Sequence, residues 1–234
     1  MAASEISLFD VEDVVVQPKV RDMNVGPVSM KDTLEFCSRY HYTERAGHAM
    51  WRWGLWCGPV LYGVICYNWP SPVAGAAVFG SEYKQNVLHI GRLALPDSAP
   101  RNSESRLIGQ SLRQLEDEHP EVWAVLTYAA TDEGHIGYVY QATNAIYTGV
   151  GGDGVVYKDQ RGQHRSPRST IAGSAARITK KDARTRGWTV CEAGPKHRYV
   201  YILGNKTQRR QRLQMLKYPI LPYPKQTQPE GQTA

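Results

Sequence analysis

Glycine is missing where a phosphate-binding loop would need it, for none occurs between Gly91 and Gly109 of this 234-residue chain. A glycine-rich nucleotide cradle is thereby excluded from that stretch. Phenylalanine is scarce, 3 residues against 14 tyrosines, so most rings carry a polar handle suited to a core beside a wet cleft. Cys37, Cys57, Cys66 and Cys191 make no Cys-x-x-Cys pair and no regular spacing. That argues against a disulfide framework and for reduced thiols, most of them packed in a core. The longest apolar stretch, Leu55 to Tyr67, is too short for a bilayer and is broken by Gly58, Pro59 and Gly63. The N-terminus has no basic segment leading into an apolar run, so no secretory signal is expected. These absences describe a soluble, cytoplasmic protein with no membrane partner.

Acidic residues are nearly absent from the last third. Residues 1–157 hold 11 Lys and Arg against 18 Asp and Glu, whereas residues 158–217 hold 16 against 3. A basic segment on an acidic body suits a polyanionic partner, with a merely solvated face as the alternative. Its candidate phosphate contacts are Arg184, Arg186, Lys196, His197, Arg198, Arg209, Arg210 and Arg212, which would fix position without reading sequence.

Hydropathy patterning gives the order of elements. Lys31 to Tyr40 has helical spacing, capped by Ser29 or Asp32. Strand-like runs RWGLWC and VLYGVICYN flank a Gly58-Pro59 turn, and a third strand is expected over VAGAAVFG. Trp51, Trp53 and Trp56 crowd this hairpin as core or cross-strand partners, or as a stacking platform for an extruded base. LHIGRLAL reads as a strand, RLIGQSLRQLE as a helix, and the apolar run from Val122 to Tyr128 as a strand buried on both faces. Thr131 or Asp132 can cap a following helix that carries His135, Tyr138 and Gln141 on one side. TGVGGDG reads as a flexible loop, YVYIL as a last strand and KTQRRQRLQMLK as a basic helix. The expected class is α/β (α+β), a mixed sheet flanked by helices. Residues 1–203 form one catalytic domain that includes the basic segment 158–203. A basic helix spans 204–217, and the Pro- and Gln-rich residues 218–234 form a disordered tail.

Two clusters can carry chemistry. Arg101, Asn102, Ser103, Glu104 and Ser105 lie between strand and helix, where free backbone N–H groups can hold a pyrophosphate, or where Ser103 or Asn102 simply caps the helix. His135 with Asp132 supplies a proton carrier and its orienter, and His41 stands between two tyrosines at a helix end. His41 and Asp132, with His135, can also ligate a single metal. Tyr42 and Tyr128 would donate hydrogen bonds into the same cleft.

These residues carry a resemblance. The YHY around His41, GRLAL, PRNSESRLIGQSLR, TYA followed by GHIGYVYQATNAIYTG, and KHRYVYIL together resemble the Mom family of phage DNA-modification proteins, over roughly residues 34–203. That family looks like a distant relative of the GNAT-type N-acyltransferases. The resemblance implies a single acyltransferase-like domain that converts adenine in double-stranded DNA to an N6-carbamoylmethyl derivative. The product would shield phage DNA from restriction in the host cytoplasm. It also implies an acyl-CoA-type donor at Arg101 to Ser105 and a possible dependence on iron. The missing glycine-rich loop departs from the acyltransferase pattern and puts plain acetyl-CoA use in doubt. Two other readings fit the residues: an acetyl-CoA-dependent N-acetyltransferase acting on an amine or protein, and a nucleic-acid-binding protein without activity.

Overall fold

The computed structural model describes residues 18–41, 49–131, 135–151, 154–162, 164–165 and 178–225. The Gly58-Pro59 turn closes a hairpin of β2 (Trp51–Cys57) and β3 (Val60–Asn68), and β1 (Asn24–Pro27) pairs antiparallel with the outer edge of β2. β4 (Val87–Ala94) runs antiparallel to β3 and parallel to β5 (Ala124–Ala130). With β6 (Ile146–Gly151) and β10 (Lys196–Ile202) the seven-stranded order is β1-β2-β3-β4-β5-β10-β6. The class is mixed α/β, as expected.

Alternation along β3 divides the core between two faces. Ile65 and Tyr67 join the cluster under α3 (Ser103–Glu118), whose Leu107, Ile108 and Leu115 are fully buried. Each such leucine or isoleucine contributes roughly 1.5–3 kcal/mol on burial. Val64 lies on the other face under α1 (Met30–Tyr40), packed with Phe36 and Cys37. Ser29 caps α1, its hydroxyl accepting from the Asp32 amide at 3.0 Å and donating to the Asp32 carboxylate.

The stretch expected as a third strand is instead α2 (Pro72–Phe79). Ser71 caps it by accepting from the Ala74 amide at 3.3 Å, and Pro72 begins its first turn. Ser-Pro ahead of alanines is a helix-start signal that outweighs the strand preference of Val73, Val78 and Phe79.

The chain read as one domain divides into two compact units, the first comprising residues 1–127, 138–148 and 199–222, the second 128–137, 149–198 and 223–234. In the second, β7 (Gly154–Lys158) pairs antiparallel with β8 (His164–Arg165) and β9 (Thr189–Ala193). A small core of Tyr157, Ile178 and Ala183 joins them to α5 (Lys180–Thr185), which opens on a Thr179–Asp182 capping box. TGVGGDG, expected as a loop, enters β6 as far as Gly151.

In the first unit α6 (Lys206–Met215) is the expected basic helix. Residues beyond it, expected to be disordered, are placed as far as Lys225: Lys217 N–H donates to Val78 O at 2.9 Å and Leu221 N–H to Tyr147 O at 3.0 Å. Two main-chain bonds outweigh the proline-rich composition that suggested a free tail. Residues 226–234 lie outside the described residues.

Candidate functional site

β4 holds β5 for only three residue pairs, Val87 with Ala124 through His89 with Leu126. Beyond His89, β4 continues along β3 without a β5 partner, and Gly91 forms a bulge there, because Tyr67 pairs with Ile90 while Cys66 pairs with Arg92. A Cβ at Gly91 would sit 2.6 Å from Asn68 Oδ1, so only glycine fits without displacing that amide. The Asn68 carbonyl oxygen and the Thr127 hydroxyl, both buried, have no hydrogen-bond partner among the described residues. Thr127 is the first β5 residue past the last pair with β4.

The bulge sets Arg92 on the face covered by α1. Cross-strand register lines up Arg52, Cys66 and Arg92 on β2, β3 and β4. Above them the last turn of α1 brings Cys37 against Cys66, and His41 ends the helix with its amide donating to Cys37 O at 3.0 Å. The half-buried His41 ring is pushed down to about 4, first by desolvation and then by the Arg92 charge. Its hydrogen bond with the Cys37 thiol, and then burial, hold Cys66 well above the ordinary thiol range. His41 is therefore a neutral imidazole at neutral pH, able to accept a proton or hydrogen bond or to ligate a metal. Arg92 and Arg52 had no role in the sequence reading. The signal that could have found Arg92 is the Gly91-Arg92 pair inside an otherwise apolar strand.

The turn at the start of α3 differs from its expected form. Ser103 is not the cap; it is the first helical residue, and its buried hydroxyl points to Met23 Sδ at 3.8 Å. Asn102 takes the cap position in the left-handed region, φ 72°, with no side-chain cap bond. Ser29, Ser71, Thr179 and Asn205 cap the helices they precede. The Ser103 amide donates to Pro100 O at 3.1 Å, which leaves the Glu104 and Ser105 amides of the first turn to solvent or an anion. Arg101 is exposed beside them and Ser105 is half-buried. Glu104 is exposed as a residue, yet crowding about its carboxyl raises its pKa by desolvation.

None of the remaining catalytic candidates shares a described unit with His41. Tyr42 and Asp132 lie outside the described residues, and Tyr128 and His135 belong to the second unit while His41 belongs to the first. His135 is not on a helix: α4 begins at Tyr138 and ends at Ala142, and His135 precedes it, exposed. The Thr131 hydroxyl donates to Pro195 O rather than capping that helix. Of the three residues expected to ligate a metal, His41 and His135 are described, in different units, and Asp132 lies outside the described residues. No three His, Cys, Asp or Glu side chains among the described residues are grouped as metal ligands.

Much of the distinctive central motif is scaffold. Gln141 Nε2 donates to Tyr199 Oη at 3.1 Å, the Thr143 and Tyr201 hydroxyls meet at 2.5 Å, and Tyr140 and Tyr147 pack on the Tyr199 ring. YQATNAIYTG and KHRYVYIL are thus two halves of one packing arrangement.

The basic set also divides. Arg184 and Arg186 are exposed in the second unit, Arg186 lying over Trp188 at 5.4 Å, and Lys196 and Arg198 are half-buried there. In the first unit Arg209 and Arg210 are exposed on α6. Arg212 departs from the expected phosphate-contacting role. It is 8% exposed, donates to Leu203 O at 2.7 Å and stacks over Trp123 at 5.2 Å. The Leu203 carbonyl and the Trp123 ring together hold this side chain inward.

Among solved structures, a Bacillus subtilis acetyltransferase in complex with CoA aligns with a TM-score of 0.45 at 10% identity, covering 78% of this chain and 98% of that one. The Escherichia coli ribosomal-protein-S18-alanine N-acetyltransferase gives 0.45 at 8% identity, covering 79% and 97%. The methylcarbamoylase mom of Escherichia phage Mu is 24% identical over 220 residues, 93% of this chain and 90% of that protein. Residues 22–225 match the Mom protein family, and the chain belongs to it.

Proposed function

We propose that the protein is a phage DNA-modifying transferase that converts adenine to its N6-carbamoylmethyl derivative and so protects DNA from host restriction. Family membership across residues 22–225 carries this reading, and the relative's own name, methylcarbamoylase, supports transfer of a carbamoyl-containing group. The local geometry fits it, with a neutral imidazole against β4 just past the point where β5 leaves that strand.

The chemistry defines what such a site must do. A carbamoylmethyl product needs a new bond from N6 to a methylene carbon, with loss of one N6 proton and departure of whatever group the methylene carried. The N6 lone pair is delocalised into the ring and is a weak nucleophile. As the bond forms, the nitrogen becomes cationic and acidic, so a weak base suffices to take its proton. His41, with its pKa near 4, is such a base. A duplex adenine must leave the stack to reach it. The uncapped first turn of α3, with Arg101 beside it, is the place we assign to the anionic part of the donor, whose leaving group must sit on the methylene carbon.

Plasmid DNA co-expressed with the protein and digested to nucleosides should contain a heavier adenosine by mass spectrometry, and His41→Ala should abolish it. Unmodified adenosine under soluble expression overturns the proposal. Substitutions at Tyr42, Tyr128, Asp132 and His135 read their part in the reaction by the same assay.

A further inference from the structure

A cleft of about 640 Å³ opens on the first unit between the C-terminal half of α3 and α6. It is separate from the α3 N-terminus and from His41, since its α3 lining begins only at Gly109. Arg113, Arg209 and Arg210 line it, over an apolar floor that includes Leu112, Ile146 and Leu203. Glu116 is the one carboxylate of the lining, and both its oxygens are engaged: Oε1 accepts from Gly204 N–H and Oε2 from Arg209, each at 2.8 Å. That pairing leaves the charges of Arg113 and Arg210 facing the cleft. Both side chains are exposed, and Arg113 spends only its Nε, on Gly109 O at 3.1 Å. Residues 199–222 contain five Lys and Arg and no Asp or Glu, so the α6 wall has no acid of its own.

We propose that this cleft seats the phosphodiester backbone of DNA, with Arg113 and Arg210 on phosphates and the apolar floor against sugar faces. The inference rests on the DNA-modification reading and adds Arg113 of α3 to the contacts. An open cleft with guanidinium groups on opposite walls suits an extended polyanion better than a single small anion. Glu116 holds α6 to α3 at the cost of one positive charge in the cleft.

The test is fluorescence anisotropy with a labelled DNA duplex, titrated between about 50 and 300 mM salt. Arg113→Ala and Arg210→Ala should each lower the salt slope by about 0.9 and weaken binding about eightfold at 0.1 M salt. Arg113→Lys should keep the slope. Glu116→Gln, which preserves the Gly204 contact while releasing Arg209, should tighten binding. Lys84→Ala, exposed elsewhere in the first unit, should change nothing. Wild-type slopes in Arg113→Ala and Arg210→Ala overturn the inference. So does poly-glutamate competing as well as duplex at equal charge, which would assign the cleft to an acidic protein. Wild-type protein that binds no duplex removes the proposed function as well. Intact adenine modification beside unchanged slopes removes only the cleft.

Discussion

Replacing Arg212 by alanine should cost stability rather than DNA affinity. Its guanidinium donates to Leu203 O at 2.7 Å and stands 5.2 Å over the Trp123 ring. A hydrogen bond from a charged group contributes about 1.5–3 kcal/mol. A desolvated cation–π contact adds about 0.5–2 kcal/mol. The two share one side chain and do not add fully, so Arg212→Ala should lose about 2–4 kcal/mol. Against a typical total of about 5–15 kcal/mol that is a large fraction. Leu203 N–H also donates to Trp123 O at 2.9 Å, so the loss falls where β10 ends and α6 begins. Urea unfolding followed by tryptophan fluorescence reads the change. Arg212→Lys, which keeps the charge without the planar fork, should recover part of it. Because the guanidinium is buried, the salt slope of DNA binding should stay at the wild-type value while the variant is folded. Stability within about 0.5 kcal/mol of wild type, paired with a lost phosphate contact in the slope, would refute the argument and return Arg212 to the DNA-facing set.

The His41 ring should titrate near 4 by NMR, and adenine modification should hold level from neutral pH until close to that value. Because the folded pKa lies below the ordinary 6.5, the unfolded chain binds more protons in this window. The His41 contribution to stability is therefore complete above about 6.5 and lost as pH falls toward 4; titration near 6.5 would contradict this. Gly91→Ala places a Cβ 2.6 Å from the buried Asn68 Oδ1. It should cost about 1–3 kcal/mol in thermal or urea unfolding, and an unchanged midpoint would show that the bulge relaxes freely. Tyr67→Phe removes the 2.7 Å bond to Ser111 Oγ in the core but leaves Ser111 donating to Ile108 O at 3.1 Å. The expected loss is about 1 kcal/mol, and a loss above about 3 kcal/mol would mean the hydroxyl does more than this pair shows.

The fold was legible where burial shapes a run. Apolar strand-like runs on either side of the Gly58-Pro59 turn identified β2 and β3, and the 3.6 period of Leu107, Ile108 and Leu115 identified α3, whose one buried face imposes that repeat. α2 failed that test for a physical reason. It buries Gly75, Val78 and Phe79 yet has small apolar residues on every side, so its pattern has no polar face and only the Ser-Pro start distinguishes it from a strand. The second unit was missed because its core is only Tyr157, Ile178 and Ala183 with a few half-buried neighbours, too few to register against the surrounding Lys and Arg. The C-terminal segment was misjudged because composition does not report main-chain bonds such as that from Leu221 to Tyr147.

The candidate site was legible in its residue types and much less so in its arrangement. His41 stands out in sequence as a histidine between tyrosines at a helix end. Arg92, whose charge adds to the desolvation that lowers the His41 pKa, lies 51 positions away, on a strand whose register against Cys66 is shifted by the Gly91 bulge. No periodicity encodes such a shift, since a bulge is a two-strand property written in neither strand alone. The same limit explains Arg212 and Gln141. Charge and hydrogen-bonding capacity mark both as functional in a linear reading. Their partners, the Leu203 carbonyl and the Tyr199 hydroxyl, belong to β10 or the turn that follows it, and both turn a polar side chain into a packing device. Polar residues near a candidate site therefore separate into two groups by what lies opposite them. Those buried against a backbone carbonyl or a core hydroxyl hold the scaffold, whereas exposed Arg113, which spends only its Nε on Gly109 O, and exposed Arg210 line an open cleft and remain available to a ligand. On that criterion α6 carries both kinds one turn apart, which is why its arginines should respond to substitution in opposite assays.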